Sequence, residues 1–137
     1  MTATAEQIRE FLAADFSQAD MELISAGNQA SKIRTVITDR HLRPGGTVSG
    51  PTMMAAADFA LYVAILAEIG IVPLALTTSL NTNFLRRPAP NCNIVAECKL
   101  LKLGRTLAMG EVSLYSEGHP EVVAHATGTY SIPPEQK

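Results

Sequence analysis

Residues 45–70 read GGTVSGPTMMAAADFALYVAILAEIG, and this run sets how the rest of the chain must fold. Pro51 suits the first position of a helix, where its missing N–H costs nothing. Gly70 stands where a helix is closed by a residue free to adopt positive φ. Between them only Asp58 and Glu68 carry charge. Such a helix is apolar on nearly every face, so it has to be enclosed rather than laid on a surface. From Phe59 to Leu76 the length approaches the ~20 residues that cross a bilayer. Asp58 at the start, the Gly70–Pro73 break and the lack of flanking Lys or Arg argue instead for a buried helix followed by a strand.

Working outward, the next segment changes period. Leu74, Leu76, Thr78, Leu80, Thr82 and Phe84 alternate with Ala75, Thr77, Ser79, Asn81 and Asn83, which predicts a strand with one apolar and one polar face. Three more strands are predicted at Asn93–Leu103, Thr106–Tyr115 and Glu121–Ile132. Their short connections make an antiparallel meander. Upstream, residues 4–14 (TAEQIREFLAA) read as an amphipathic helix, with Thr4 as N-cap, Gln7 in the capping-box place and Ile8, Phe11 and Leu12 as its stripe. Residues 31–40 read as a first strand, His41–Pro51 as a turn-rich loop, and 133–137 as a tail. The order predicts an α+β fold in which a curved antiparallel sheet wraps the long central helix. A lone sheet leaves an edge and part of the helix uncovered, which a second subunit would meet.

The 137 residues fit one domain over 1–137. With no Trp and 5% aromatics, the core must be built from Ala, Val, Leu, Ile and Met. A net charge of −2 argues against nucleic acid as the main partner, since phosphate neutralisation needs a clustered basic surface. Cys92 and Cys98 fall in what reads as one strand, about 20 Å apart and beyond disulfide reach. They read as reduced thiols, and with no signal peptide in the sequence the expected location is cytoplasmic and off the membrane.

Chemistry is concentrated at the loop-to-helix junction. The N–H groups of a helix start, beside glycines that allow close approach, suit an oxyanion or phosphate. Asp58, two turns in, sits among Ala55, Ala56, Ala57, Phe59 and Ala60. A carboxylate so placed is costly unless partnered. It is either a functional group or an Asp that escapes to solvent or a neighbouring loop, and the residues alone favour neither. His41, His119 and His125 lack metal-ligand spacing, so no metal is expected. Ser49–Gly50 lacks the partners of a serine triad. Arg86 and Arg87, with Lys99, Lys102 and Arg105, are either solvated strand ends or a shallow cradle for nucleotide phosphates.

Four stretches carry a resemblance: GGTVSGPTMMAAADFALY, LTTSLNTNFLRRPAP, VAECKLLKLGRTLAMGEVSLY and VVAHATGTYSI. Together they resemble the hotdog-fold thioesterases of the phenylacetate-degradation (PaaI-like) type over about residues 31–132. That family shows Asn, then His-Gly-Gly six residues on, then an acidic residue eight after the first Gly. Here the positions are Arg43, Ser49-Gly50-Pro51 and Asp58. The resemblance implies hydrolysis of acyl-CoA thioesters, with the Gly50 amide polarising the carbonyl and Asp58 acting as general base or as nucleophile. It implies that Thr77 helps hold the attacking water. The expected substrate-site residues are Ser49, Arg43, Pro51, Asn83, Arg86, Arg87, Lys102 and Arg105, the last four as the phosphate cradle. The resemblance also implies a homodimer or a dimer of dimers, with Gly50 and Asp58 acting from different subunits, and no cofactor beyond the coenzyme A of the substrate. Ser49 and Arg43 replace the family's His and Asn. Those departures favour the alternative, a non-catalytic hotdog module that binds acyl-CoA. A hydratase or dehydratase would need a His near Asp58, and the sequence places none there.

Overall fold

The computed structural model describes residues 2–16 and 20–134. Of the predicted tail, residues 135–137 lie outside that range. Helix α1 (Ala5–Asp15) is followed by strands β1 (Met21–Gly27) and β2 (Ala30–Thr35), a short 3-10 turn (Asp39–His41) and helix α2 (Gly50–Ile69). Strands β3 (Leu76–Phe84), β4 (Ile94–Leu103), β5 (Leu107–Ser116) and β6 (Val122–Ser131) complete the chain. All six strands form one antiparallel sheet in the order β1-β2-β4-β5-β6-β3. The predicted meander is β4-β5-β6, and β3 closes on the far side of β6.

Helix α2 runs across the sheet and touches all six strands. Met53, Ala56, Ala57 and the unbroken run Ala60–Ala67 are buried, as a helix apolar all round requires. Its 18-residue apolar window is long enough to span a membrane, but 61% of that window is buried inside the fold. The contact is close because Gly110 and Gly128 face each other across β5 and β6 and leave a hollow for Leu61. A Cβ on Gly110 would come 2.7 Å from Leu61 Cδ2, and one on Gly128 would overlap Leu61 Cδ1. Ser31 of β2 donates to the Ala60 carbonyl at 2.6 Å, a buried bond between sheet and helix. Helix α1 carries the predicted capping box, with Thr4 and Gln7 bonded reciprocally, and buries Ile8 and Leu12.

Three expectations need correction. The strand predicted at 31–40 ends at Thr35, because the chain turns through Thr38 into Asp39–His41. Strand β1 was not predicted at all. Its sequence MELISAG buries only Leu23 fully and is bulged between Leu23 and Ser25, so it shows no period of two. It joins β2 through Asn28 and Gln29 at φ 54° and 59°, a tight hairpin without the Asn-Gly pair that announces one. Cys92 precedes β4 rather than lying within it. Both thiols are free, and burial pushes the Cys98 thiol up to about 12.

Candidate active site

Ser49 caps α2: its Oγ accepts from the Thr52 amide at 3.3 Å and lies 2.8 Å from the Thr52 hydroxyl. Gly50 follows as the first helical residue. The Phe84 ring, from the end of β3, lies against it, so a Cβ at Gly50 would meet Phe84 Cζ at 3.3 Å. The loop ahead of the cap is a small hairpin in which Leu42 bridges Val48 and Arg43 bonds Thr47. Gly45 and Gly46 turn it at φ 101° and 80°.

Asp58 is half-buried and held by two hydroxyls. Thr77 of β3 donates to Oδ1 at 2.6 Å. Tyr130 of β6 donates to the same oxygen at 2.8 Å and reaches the Asp58 carbonyl at 3.0 Å. No described residue hydrogen-bonds Oδ2. The carboxylate is therefore anchored through one oxygen and keeps the other for a ligand or water. Burial, with the Asp58 carboxylate adding to it, holds the Tyr130 phenol above its ordinary range, so it stays a donor. Tyr130 is 3% exposed and stacks on Tyr62 at a centroid distance of 6.1 Å. Sequence reasoning missed Tyr130; its alternation with the small residues Ala124, Ala126 and Gly128 on one face of β6 was the available signal.

Thr77 reaches Asp58 because β3 is bulged. Thr77 pairs with Tyr130 and Ser79 with Thr129, so Thr78 is an extra residue and bonds the Thr129 carbonyl instead. The bulge inverts the alternation. Thr77 faces the helix, whereas Asn81 and Asn83 pair with Thr127 and His125 on the opposite face of the sheet. Asn83 thus does not share the face of Thr77, contrary to the simple alternation in the sequence.

The structure divides the basic residues. Arg43 and Arg87 line a cavity of about 200 Å³ with Pro44, Gly45 and Thr47. Arg86 is bound to Glu121 at 2.8 Å and to the Val122 carbonyl at 3.0 Å. Lys102 and Arg105 belong to the β4–β5 hairpin at the other end of the sheet. Phe84 pairs with Ala124 and Leu107 with Ser131. Seven residues of β6 therefore separate the two groups, about 23 Å along the strand. One copy of the chain does not gather them into a single cradle. Pro51 is exposed on α2, and its stripe continues through Met54, Ala55 and Asp58, at helical spacings of three and four. Met53, Leu61 and Tyr62 are core residues, and Met54, at 38% exposure, is free to meet a ligand or a neighbour.

A long enclosed helix in a single wrapping antiparallel sheet, with a carboxylate on the helix's exposed stripe, defines a hotdog-fold protein. A thioesterase superfamily model matches residues 45–123, more than half of the sequence and including Gly50, Asp58 and Thr77. The chain belongs to the thioesterase superfamily, whose general chemistry is thioester hydrolysis. A candidate thioesterase of Silicibacter sp. TM1040 is similar at 41% identity and a TM-score of 0.88, covering 96% of this chain and 92% of that one. Zebrafish thioesterase superfamily member 2 superposes at a TM-score of 0.83 and 21% identity, over 96% of this chain and all of its own. The PaaI protein of the E. coli phenylacetic acid degradation operon gives 0.80 at 14% identity, over 96% and 92%. At those last two identities the likeness speaks for the fold. Among curated proteins none matches the sequence.

Proposed function

We propose that the chain hydrolyses acyl-CoA thioesters, with Asp58 as the base that activates water. The observation carrying this reading is the anchoring of Asp58 Oδ1 by Thr77 and Tyr130, with Oδ2 left unpartnered. Asp58 takes a proton from water as the water oxygen attacks the thioester carbon. The oxyanion formed is met by a helix-start amide at Gly50. Collapse breaks the C–S bond, and the proton on Asp58 passes to the departing CoA thiolate. The reading assigns no metal and no bound cofactor; coenzyme A enters with the substrate.

Gly50 and Asp58 are eight residues apart on one helix, about 12 Å at 1.5 Å per residue. They cannot both serve one carbonyl from the same copy. The reading therefore needs a homodimer in which Gly50 of one copy faces Asp58 of the other. The exposed α2 stripe and the unpaired edge of β3 support that arrangement. Antiparallel pairing of two β3 edges would also set Arg86 and Arg87 of one copy near Lys102 and Arg105 of the other, as a cradle for the nucleotide phosphates. Association of two such dimers into a tetramer and a cytoplasmic location remain part of the same proposal.

The second reading is a non-catalytic acyl-CoA-binding module, and Ser49 favours it. Where the family's motif has a histidine, this chain spends its side chain on capping α2. A panel of acyl-CoAs followed by free-thiol release, beside Asp58→Asn, separates the two. Hydrolysis should fall on the order of a thousandfold in the variant. Turnover surviving intact in Asp58→Asn would remove Asp58 from the mechanism, and binding without turnover across the panel would leave the module.

A further inference from the structure

His41 ties three parts of the chain together ahead of α2. Its carbonyl accepts from the Ser49 amide at 2.9 Å and from the Thr52 hydroxyl at 3.4 Å, so it holds the residue on either side of Gly50 and Pro51. Its ring Nδ1 accepts from the Thr38 amide at 2.8 Å. That bond leaves the ring hydrogen on Nε2, which lies 3.1 Å from Asp20 Oδ2 at the start of β1, in contact but not aligned as a hydrogen bond. Arg40 lies against the same Asp20 oxygen. The His41 side chain is only 12% exposed. Burial and then the Arg40 charge hold its imidazole below the ordinary value, in keeping with a neutral ring whose Nδ1 is an acceptor.

An open groove lies beside the ring, lined also by Met21, Thr35, Pro51, Thr52 and Ala55. Among the described residues, neither Asp20 Oδ2 nor the buried Thr35 hydroxyl has a hydrogen-bond partner. The start of β1 thus meets the start of α2 where Asp20 approaches the His41 ring.

We infer that Asp20 and His41 are positioning residues, which fix the helix start so that the Gly50 amide is presented in one orientation. The inference rests on the oxyanion role given to Gly50 above. The effect of Asp20 and His41 reaches the reaction through the His41 carbonyl and the Ser49 amide. A donor displaced by a fraction of an ångström still binds a ground-state carbonyl but stabilises the oxyanion less.

The test compares wild type with His41→Ala, His41→Asn and Asp20→Asn in two measurements. The first is hydrogen exchange, resolved by residue, at Ser49 and Met53 and in the β4–β5 core. The second is the kcat and KM of thioester hydrolysis. His41→Ala should speed exchange at Ser49 and Met53, whose amides bond the His41 and Ser49 carbonyls, at least tenfold with the core unchanged, and lower kcat about tenfold with KM within twofold. His41→Asn, whose side-chain oxygen can still accept from Thr38, should recover part of both. Asp20→Asn should show a milder version and stands in if His41→Ala does not fold. Unchanged exchange at Ser49 and Met53, or an acceleration spread evenly into the core, would overturn the inference. If the wild type has no turnover, the hydrolysis reading falls, while local exchange still decides whether the brace exists.

Discussion

Asp58 Oδ1 takes two hydroxyl donors, and they differ in what they cost to lose. Thr77 is exposed on the β3 edge, so water can replace its donor. Tyr130 is buried, and its single O–H is shared between the side chain and the carbonyl of Asp58. In Tyr130→Phe both acceptors lose a donor where water has little access. Stability should drop by about 1 kcal/mol in urea unfolding, and kcat should drop on the order of tenfold as the carboxylate gains rotational freedom. A Tyr130→Phe enzyme with wild-type kcat would mean that Thr77 alone orients Asp58.

At the scale of elements, the seat of α2 on the sheet depends on two glycines rather than on large side chains. Leu61 is fully buried between Gly110 and Gly128 and has nowhere to retreat. Gly128→Ala should cost about 1–3 kcal/mol of stability through overpacking. Combining it with Leu61→Ala should cost less than the two changes summed, because the second removes the obstructing methyls. A double-mutant cycle by denaturant unfolding checks this, and strict additivity would show that the helix shifts bodily instead. These glycines look unremarkable as letters in the strand sequences GEVSLY and ATGTYS. The parts of the fold that could be read from the sequence are those with a strong period: α2 from its unbroken apolar run between Pro51 and Gly70, and β4–β6 from alternation. Strand β1 was not legible because a bulged edge strand with one buried residue has no period to show. The face of Thr77 was legible only through the family resemblance, since the Thr78 bulge cancels the alternation that would have put it with Asn83. Tyr130 became a site residue only when pairing of β3 with β6 set it opposite Thr77, a relation 53 positions long that no local pattern carries.

For the whole molecule, the telling surface is the one that the sheet leaves bare. Helix α2 exposes a stripe along Pro51, Met54, Ala55 and Asp58, and the neighbouring edge strand exposes Leu76 at 62% and Phe84 at 50%. Apolar groups beside a helix stripe and an unpaired strand edge are what a two-fold contact buries. Met54 sits midway between Gly50 and Asp58, so a two-fold contact that brings Gly50 to the other copy's Asp58 must pass over it. Met54→Lys places a charge at the centre of that contact but in the open on a single copy. The variant should keep its far-UV circular dichroism and unfold with nearly wild-type stability per copy. It should elute as a monomer by size exclusion with light scattering, and lose hydrolysis in step with the loss of association. A monomeric Met54→Lys protein that still hydrolyses acyl-CoA at the wild-type rate would require both catalytic groups to come from one copy. The 12 Å between Gly50 and Asp58 forbids that, so the amide would then have to be sought elsewhere.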